Sequence, residues 1–139
     1  GAAISLSKED AELTADQGLV EALERRALAL DERFGQGAIH DFFIAYEGGR
    51  PPAAGGSVER ARNHFERAVA LSSGRRAAPF VSFAETVSVG AQDRAGFEEL
   101  LKRALAVDPG AVPGLTLANT VSQRRAAWLL ARVDELFLE

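Results

Sequence analysis

The chain has 139 residues, 47% of them hydrophobic and 26% charged, with a net charge of −4 and neither cysteine nor methionine. Its length suits one domain, residues 1–139, with a contiguous core, and its composition is that of an ordinary globular protein. Lack of cysteine excludes disulfides, thiolate metal sites and thiol nucleophiles, and the interspersed charges argue against a nucleic-acid partner.

The chain opens Gly1-Ala2-Ala3-Ile4-Ser5-Leu6, which reads as the last turns of an apolar helix. Without an initiating Met, it is expected to be a processed or excised piece of something longer, with any signal or anchor in the remainder. No apolar run approaches the roughly 20 residues that span a bilayer. Over Asp16–Arg33 the residues Leu19, Val20, Leu23, Ala27 and Leu30 recur at helical spacing and predict one inward face. Ala38–Tyr46 is short and intensely apolar, a helix buried on most of its circumference. The ten residues Glu47–Gly56 hold four Gly and two Pro and are expected to form the main inserted loop.

Ser57 is a good N-cap for a helix ending at Ser73-Gly74, with Ala61, Phe65, Ala68 and Leu71 facing inward. A partner helix follows over Ala77–Val89, with Pro79 tolerated in its first turn. Asp93 can cap a further helix to Val107, stopped by Asp108-Pro109-Gly110. Thr116–Leu138 reads as one long terminal helix carrying Leu117, Val121, Trp128, Leu129, Val133 and Leu136. No strand-type alternation is sustained, so the fold class is all-α.

One unit is written three times: Arg26-Ala27-Leu28-Ala29-Leu30 returns as Arg67-Ala68-Val69-Ala70-Leu71 and as Arg103-Ala104-Leu105-Ala106-Val107, 41 and 36 residues apart. That period predicts a tetratricopeptide-like solenoid, a right-handed superhelix of antiparallel helix pairs. Ala27, Ala68 and Ala104 would let helices approach closely, and the adjacent arginines would lay their stems over the core with their charge in water. Ala61, Phe65 and Ala68 match part of the tetratricopeptide second-helix pattern, as do Leu101, Ala104 and Pro109, whereas the first-helix signature is poorly kept.

Several stretches carry identity beyond the repeat. They are Gly1–Lys8, Arg26–Asp31, Gly37–Ile44, Tyr46–Pro51, Gly55–Ser57 with Ala61-Arg62, Phe65–Ala68, Leu117–Asn119 and Gln123–Leu130. In this order they resemble the T-component (TatT) family of TRAP transporters, the tripartite ATP-independent periplasmic transporters. The resemblance implies a non-enzymatic, periplasmic lipoprotein that contacts the transporter's substrate-binding component and can assemble as a trimer. It also implies a hydrophobic passage for apolar or organic-acid ligands. Relative to that family the chain lacks the N-terminal signal, lipid-attachment cysteine and first helices, so membrane attachment would come only through an anchor outside it.

Candidate ligand contacts follow from residue type. In Tyr46-Glu47-Gly48-Gly49-Arg50-Pro51 the glycines could let backbone approach a ligand and Arg50 could meet a carboxylate; the alternative is a helix end with solvated charges. Phe42, Phe43, Phe83 and Trp128 could line an apolar cavity beside Tyr46 and Phe80, or simply form core. Asn119 and Gln123 are i and i+4 neighbours that could line a polar side of the terminal helix, while Arg125 could pack over Trp128. His40 and His64 belong to different units and make a weak metal signal, so no metal and no cofactor is expected. Serines and acid pairs lie in no catalytic context, so no catalytic residue is assigned. The expected function is an accessory, ligand-handling scaffold of a TRAP-type transporter; the alternative is a generic tetratricopeptide adaptor for protein partners.

Overall fold

In the computed structural model of the chain, residues 18–138 are described. They are all-α, with no strand among them. The chain divides into two compact units, residues 1–32 and 33–139. The expectations for the opening helix and the Asp16 helix start lie outside the described residues.

In the first unit, residues 18–30 form α1. Its half-buried residues are Glu21, Glu24, Ala27 and Leu28, one helical face, while the expected inward residues Leu19, Val20, Leu23 and Leu30 are exposed. The spacing marks the helix correctly, but a different face of it is covered.

The second unit opens with a 3-10 turn, Phe34–Gln36, followed by α2, Ala38–Gly49. The helix does not stop at Tyr46; it continues through Glu47, Gly48 and Gly49, which corrects the expected ten-residue loop. Glycine costs helix stability only about 1 kcal/mol, and tertiary contacts outweigh that here. A Cβ on Gly48 would lie 2.7 Å from Val87 Cγ2, so the glycine is the contact that lets α2 close on its neighbour. What remains of the loop is a 3-10 turn, Pro52–Ala54.

Helix α3, Val58–Ser72, starts as expected: the Ser57 hydroxyl accepts from the Arg60 amide at 3.1 Å. It ends at Ser73, which takes the left-handed conformation at φ 53°. Helix α4, Ala78–Phe83, carries Pro79 in its first turn and widens into a π turn over Ala84–Ser88. Asp93 caps α5, Arg94–Ala106, by accepting from the Gly96 amide at 3.0 Å. The long terminal helix is broken in two, α6 over Thr116–Leu130 and α7 over Val133–Leu136. The break turns Phe137 back onto Phe97, ring centroids 5.0 Å apart, where it is almost fully buried. Burying an aromatic ring outweighs the helical bonds that a straight continuation would add.

Helix α2 packs on α3 and α4, α4 on α5 and α6, and α5 on α6. The main core gathers Phe80 and Val81 from α4 with Ala77 just before it and Ala84 of the π turn, Phe97, Leu101 and Ala104 from α5, and Ala126 and Leu129 from α6. A smaller group, Ile44, Ala61, Phe83 and Val87, lies between α2, α3 and α4, and Phe65 and Leu100 pack against both. Of the repeated alanines, Ala68 and Ala104 are fully buried, and Arg67 and Arg103 beside them are exposed. The Arg103 guanidinium lies 4.7 Å from the centre of the Phe80 ring. The repeat therefore has the same packing role in α3 and α5.

Candidate functional site

The residues singled out by sequence fall in three separate places. Phe42, Phe43, Tyr46 and Arg50 lie together along α2, Phe83 belongs to the smaller core group, and Asn119, Gln123 and Trp128 sit on different sides of α6.

Along α2 the aromatics are packed ring on ring. Phe42 stacks on Tyr46 with centroids 5.5 Å apart, and the fully buried Phe43 stacks on His64 of α3 at 4.9 Å. His64 in turn meets His40, Nδ1 to Nδ1 at 2.8 Å, so the two histidines join α2 to α3. One ring must donate and the other accept, which commits the pair to opposite tautomers at that nitrogen. No group of three or more His, Asp or Glu placed to hold a metal ion occurs among the described residues.

Arg50 is a clamp on the chain that follows it. Its Nε donates to the Tyr46 carbonyl at 3.0 Å, one terminal nitrogen donates to the Ala54 carbonyl at 2.8 Å, and the guanidinium lies 3.7 Å from the Tyr46 ring centre. Its other terminal nitrogen is 3.4 Å from Glu47. Glu47 is fully buried and is held more closely by Arg60, at 2.9 and 2.8 Å. Its backbone carbonyl also accepts from the Ser57 amide at 2.9 Å. These contacts fold the Pro51–Gly56 turn against the end of α2. The Arg60 partnership spans 13 residues and has no signature in sequence.

Beside this clamp lies an open groove of about 620 Å³. Gly48, Gly49 and Pro52 form one wall, and the π turn contributes Thr86 and Val87, with Val89 and Gly90 beyond it. The lining is mostly apolar, and glycine backbone is exposed along it. Thr86 hydroxyl donates to the Ser82 carbonyl at 2.6 Å, so it is already engaged within its own helix.

On α6, Asn119 and Gln123 are structural ties. Asn119, 2% exposed, accepts from the Ala77 amide and donates to the Arg75 carbonyl, both at 2.9 Å. This satisfies an amide that the start of α4 leaves without a helical partner. Gln123 donates to the Val107 carbonyl at 2.6 Å and the Ala104 carbonyl at 3.2 Å, capping the end of α5. Buried charge is treated the same way elsewhere: Arg76 grips Asp41 with both terminal nitrogens. Burial pushes the Asp41 carboxyl above its ordinary value, and the Arg76 guanidinium and His40 pull against that without cancelling it.

The outer side of α6 differs from expectation. Leu117, Val121 and Trp128 do not face the core; they are 77%, 59% and 44% exposed. The buried residues Asn119 and Ala126 occupy the opposite side of the helix. Arg125 and Arg132 place their guanidinium carbons 4.5 and 4.0 Å from the Trp128 ring centre. Arg125 is also paired with Glu85, with Nε at 2.9 Å.

Among the described residues no helix is long and apolar enough to cross a membrane. A family model described as TRAP transporter T-component matches residues 1–137. A curated protein of Treponema pallidum (strain Nichols), described as an uncharacterized protein, is 34% identical over 114 residues. That match covers 82% of the chain and 35% of the relative, so the chain spans about a third of the length of the curated relative it matches.

Proposed function

Because the chain belongs to the TRAP transporter T-component family, we propose that it is a non-catalytic scaffold which docks the substrate-binding component of such a transporter in the periplasm. The observation that carries this reading is the family match along residues 1–137. The chemistry of the described residues supports it. Asp41, Glu47, Arg50, Arg76, Asn119 and Gln123 all hold one backbone segment or helix to another.

The helix pairs are read as turns of a right-handed superhelix within one repeat domain. The longer protein is read as lipid-anchored and trimeric. The groove between the Gly48–Pro52 wall and the π turn is the proposed place for a small apolar ligand. Phe42, Phe43, Tyr46, Phe83 and Trp128 are not among the residues that line it. Arg50 lines the groove, and a carboxylate-bearing ligand there would compete with Glu47 for its second terminal nitrogen, the rest of the guanidinium being engaged by main-chain carbonyls.

The test is binding between the full-length protein and the substrate-binding component from the same organism. Co-elution as a defined complex, followed by mass spectrometry of bound small molecules, is the expected result. Two separate peaks at concentrations well above those in the periplasm would overturn the docking reading.

A further inference from the structure

His40 and His64 are the two histidines of the chain, and they meet between α2 and α3 with Nδ1 2.8 Å from Nδ1. One ring radius at either end of that distance accounts for the full 5.1 Å between the ring centres, so both Nδ1 atoms lie close to the line that joins them. The contact is therefore a head-on N–H···N bond, with no point to one side on which both nitrogens converge as they would on a metal ion. His40 is 4% exposed, and the face of the His64 ring is stacked against the fully buried Phe43. The His40 Nδ1 cannot turn to water while α2 stays packed on α3.

Two neutral imidazoles satisfy this contact, because one Nδ1 donates and the other accepts. A first added proton goes to Nε2 of the donating ring, and the Nδ1 bond survives. A second can enter only at the accepting Nδ1, in the middle of the contact. There it sets N–H against N–H and one positive charge against another.

Charges on the neighbouring elements do not relieve that conflict. Asp41 follows His40 on α2, and its carboxylate is already gripped by Arg76. On α3, Arg60 and Arg67 stand about one turn to either side of His64, and Arg60 is held by Glu47. Glu85 is the one ionisable side chain of α4 and the π turn, and it pairs with Arg125. The 3-10 turn Phe34–Gln36 carries no ionisable side chain, and Arg33 precedes it. Each of these carboxylates is bound by an arginine, so none of them is left to offset a second positive charge.

We propose that the His40–His64 pair is a pH-released latch, which ties α2 to α3 in neutral solution and lets them part in mildly acid solution, when both rings carry an extra proton. The inference stands apart from the T-component reading and does not need it. Once opened, each histidine takes up its own proton near pH ~6.5, whereas the closed pair holds one between them. The open state thus binds one proton more in acid, and its equilibrium constant rises about tenfold for each pH unit below about 6.5.

The test is amide hydrogen exchange, read by mass spectrometry on the full-length protein between about pH 7.5 and about pH 5.5 and corrected for the intrinsic rate at each pH. Protection of α2 and of the first half of α3 is expected to fall by up to about tenfold per unit below about pH 6.5, while α5 and α6, which hold no histidine, keep theirs. In His64→Asn the amide stands where Nδ1 did and can donate or accept, so it suits His40 in either protonation state and the pH dependence is expected to vanish. His40→Asn makes the same test from the other side should His64→Asn not fold. Protection of α2 that is flat with pH in wild type would overturn the latch. So would a fall as steep in the folded asparagine variants, or one shared equally by α5 and α6.

Discussion

Arg76 reaches back 35 residues to Asp41 and spends both terminal nitrogens on its carboxylate. Burial raises the Asp41 pKa above 3.8, so the folded state holds that proton more tightly than the unfolded chain does. Below pH 3.8 the group is protonated in both states and contributes no slope. As pH rises from 3.8 through the higher folded-state value, wild type loses stability relative to Asp41→Asn, and above that value the difference levels off. Urea melts of both proteins across this range check the sign; a difference that grows in favour of wild type with rising pH would contradict it. Such pairings are hard to see in a sequence. Asn119 and Gln123 were legible as neighbours on one helix, but their partners at residues 75–77 and 104–107 come into reach only on folding.

Caps and breaks were the legible part of each element. Ser57, Asp93 and Ser73-Gly74 behave as their local chemistry requires, because an N-cap hydroxyl or carboxylate needs only the next turn. Two elements went otherwise for tertiary reasons. Helix α2 runs through two glycines because Gly48 must meet Val87, and the terminal helix breaks because Phe137 must meet Phe97. The Pro51–Gly56 turn offers the sharpest test. A Cβ on Gly56 would fall 1.9 Å from the Arg50 carbonyl oxygen, a clash with backbone that no rotamer relieves. Gly56→Ala is therefore expected to lose about 2 kcal/mol or more, whereas Gly90→Ala, with nothing within 4 Å, should stay within about 0.5 kcal/mol of wild type. Equal losses from the two substitutions, measured by chemical denaturation, would show that the turn is not held as described.

At the scale of the molecule, the repeated Arg-Ala units predicted a helical array, and their alanines in α3 and α5 are fully buried. The family was also legible, carried by the stretches between the repeats, and the T-component match confirms it. The orientation of α6 was not legible, because Leu117, Val121 and Trp128 have the spacing of a core face and only packing reveals which pole of the helix is covered. That reversal turns expected core into surface. Hydroxyl-radical footprinting of the protein addresses this directly, because exposed side chains oxidise faster than buried ones. The account predicts that Trp128 oxidises readily while Phe97 and Phe137, packed ring on ring, stay protected. Protection of Trp128 together with ready oxidation of Phe97 would contradict it.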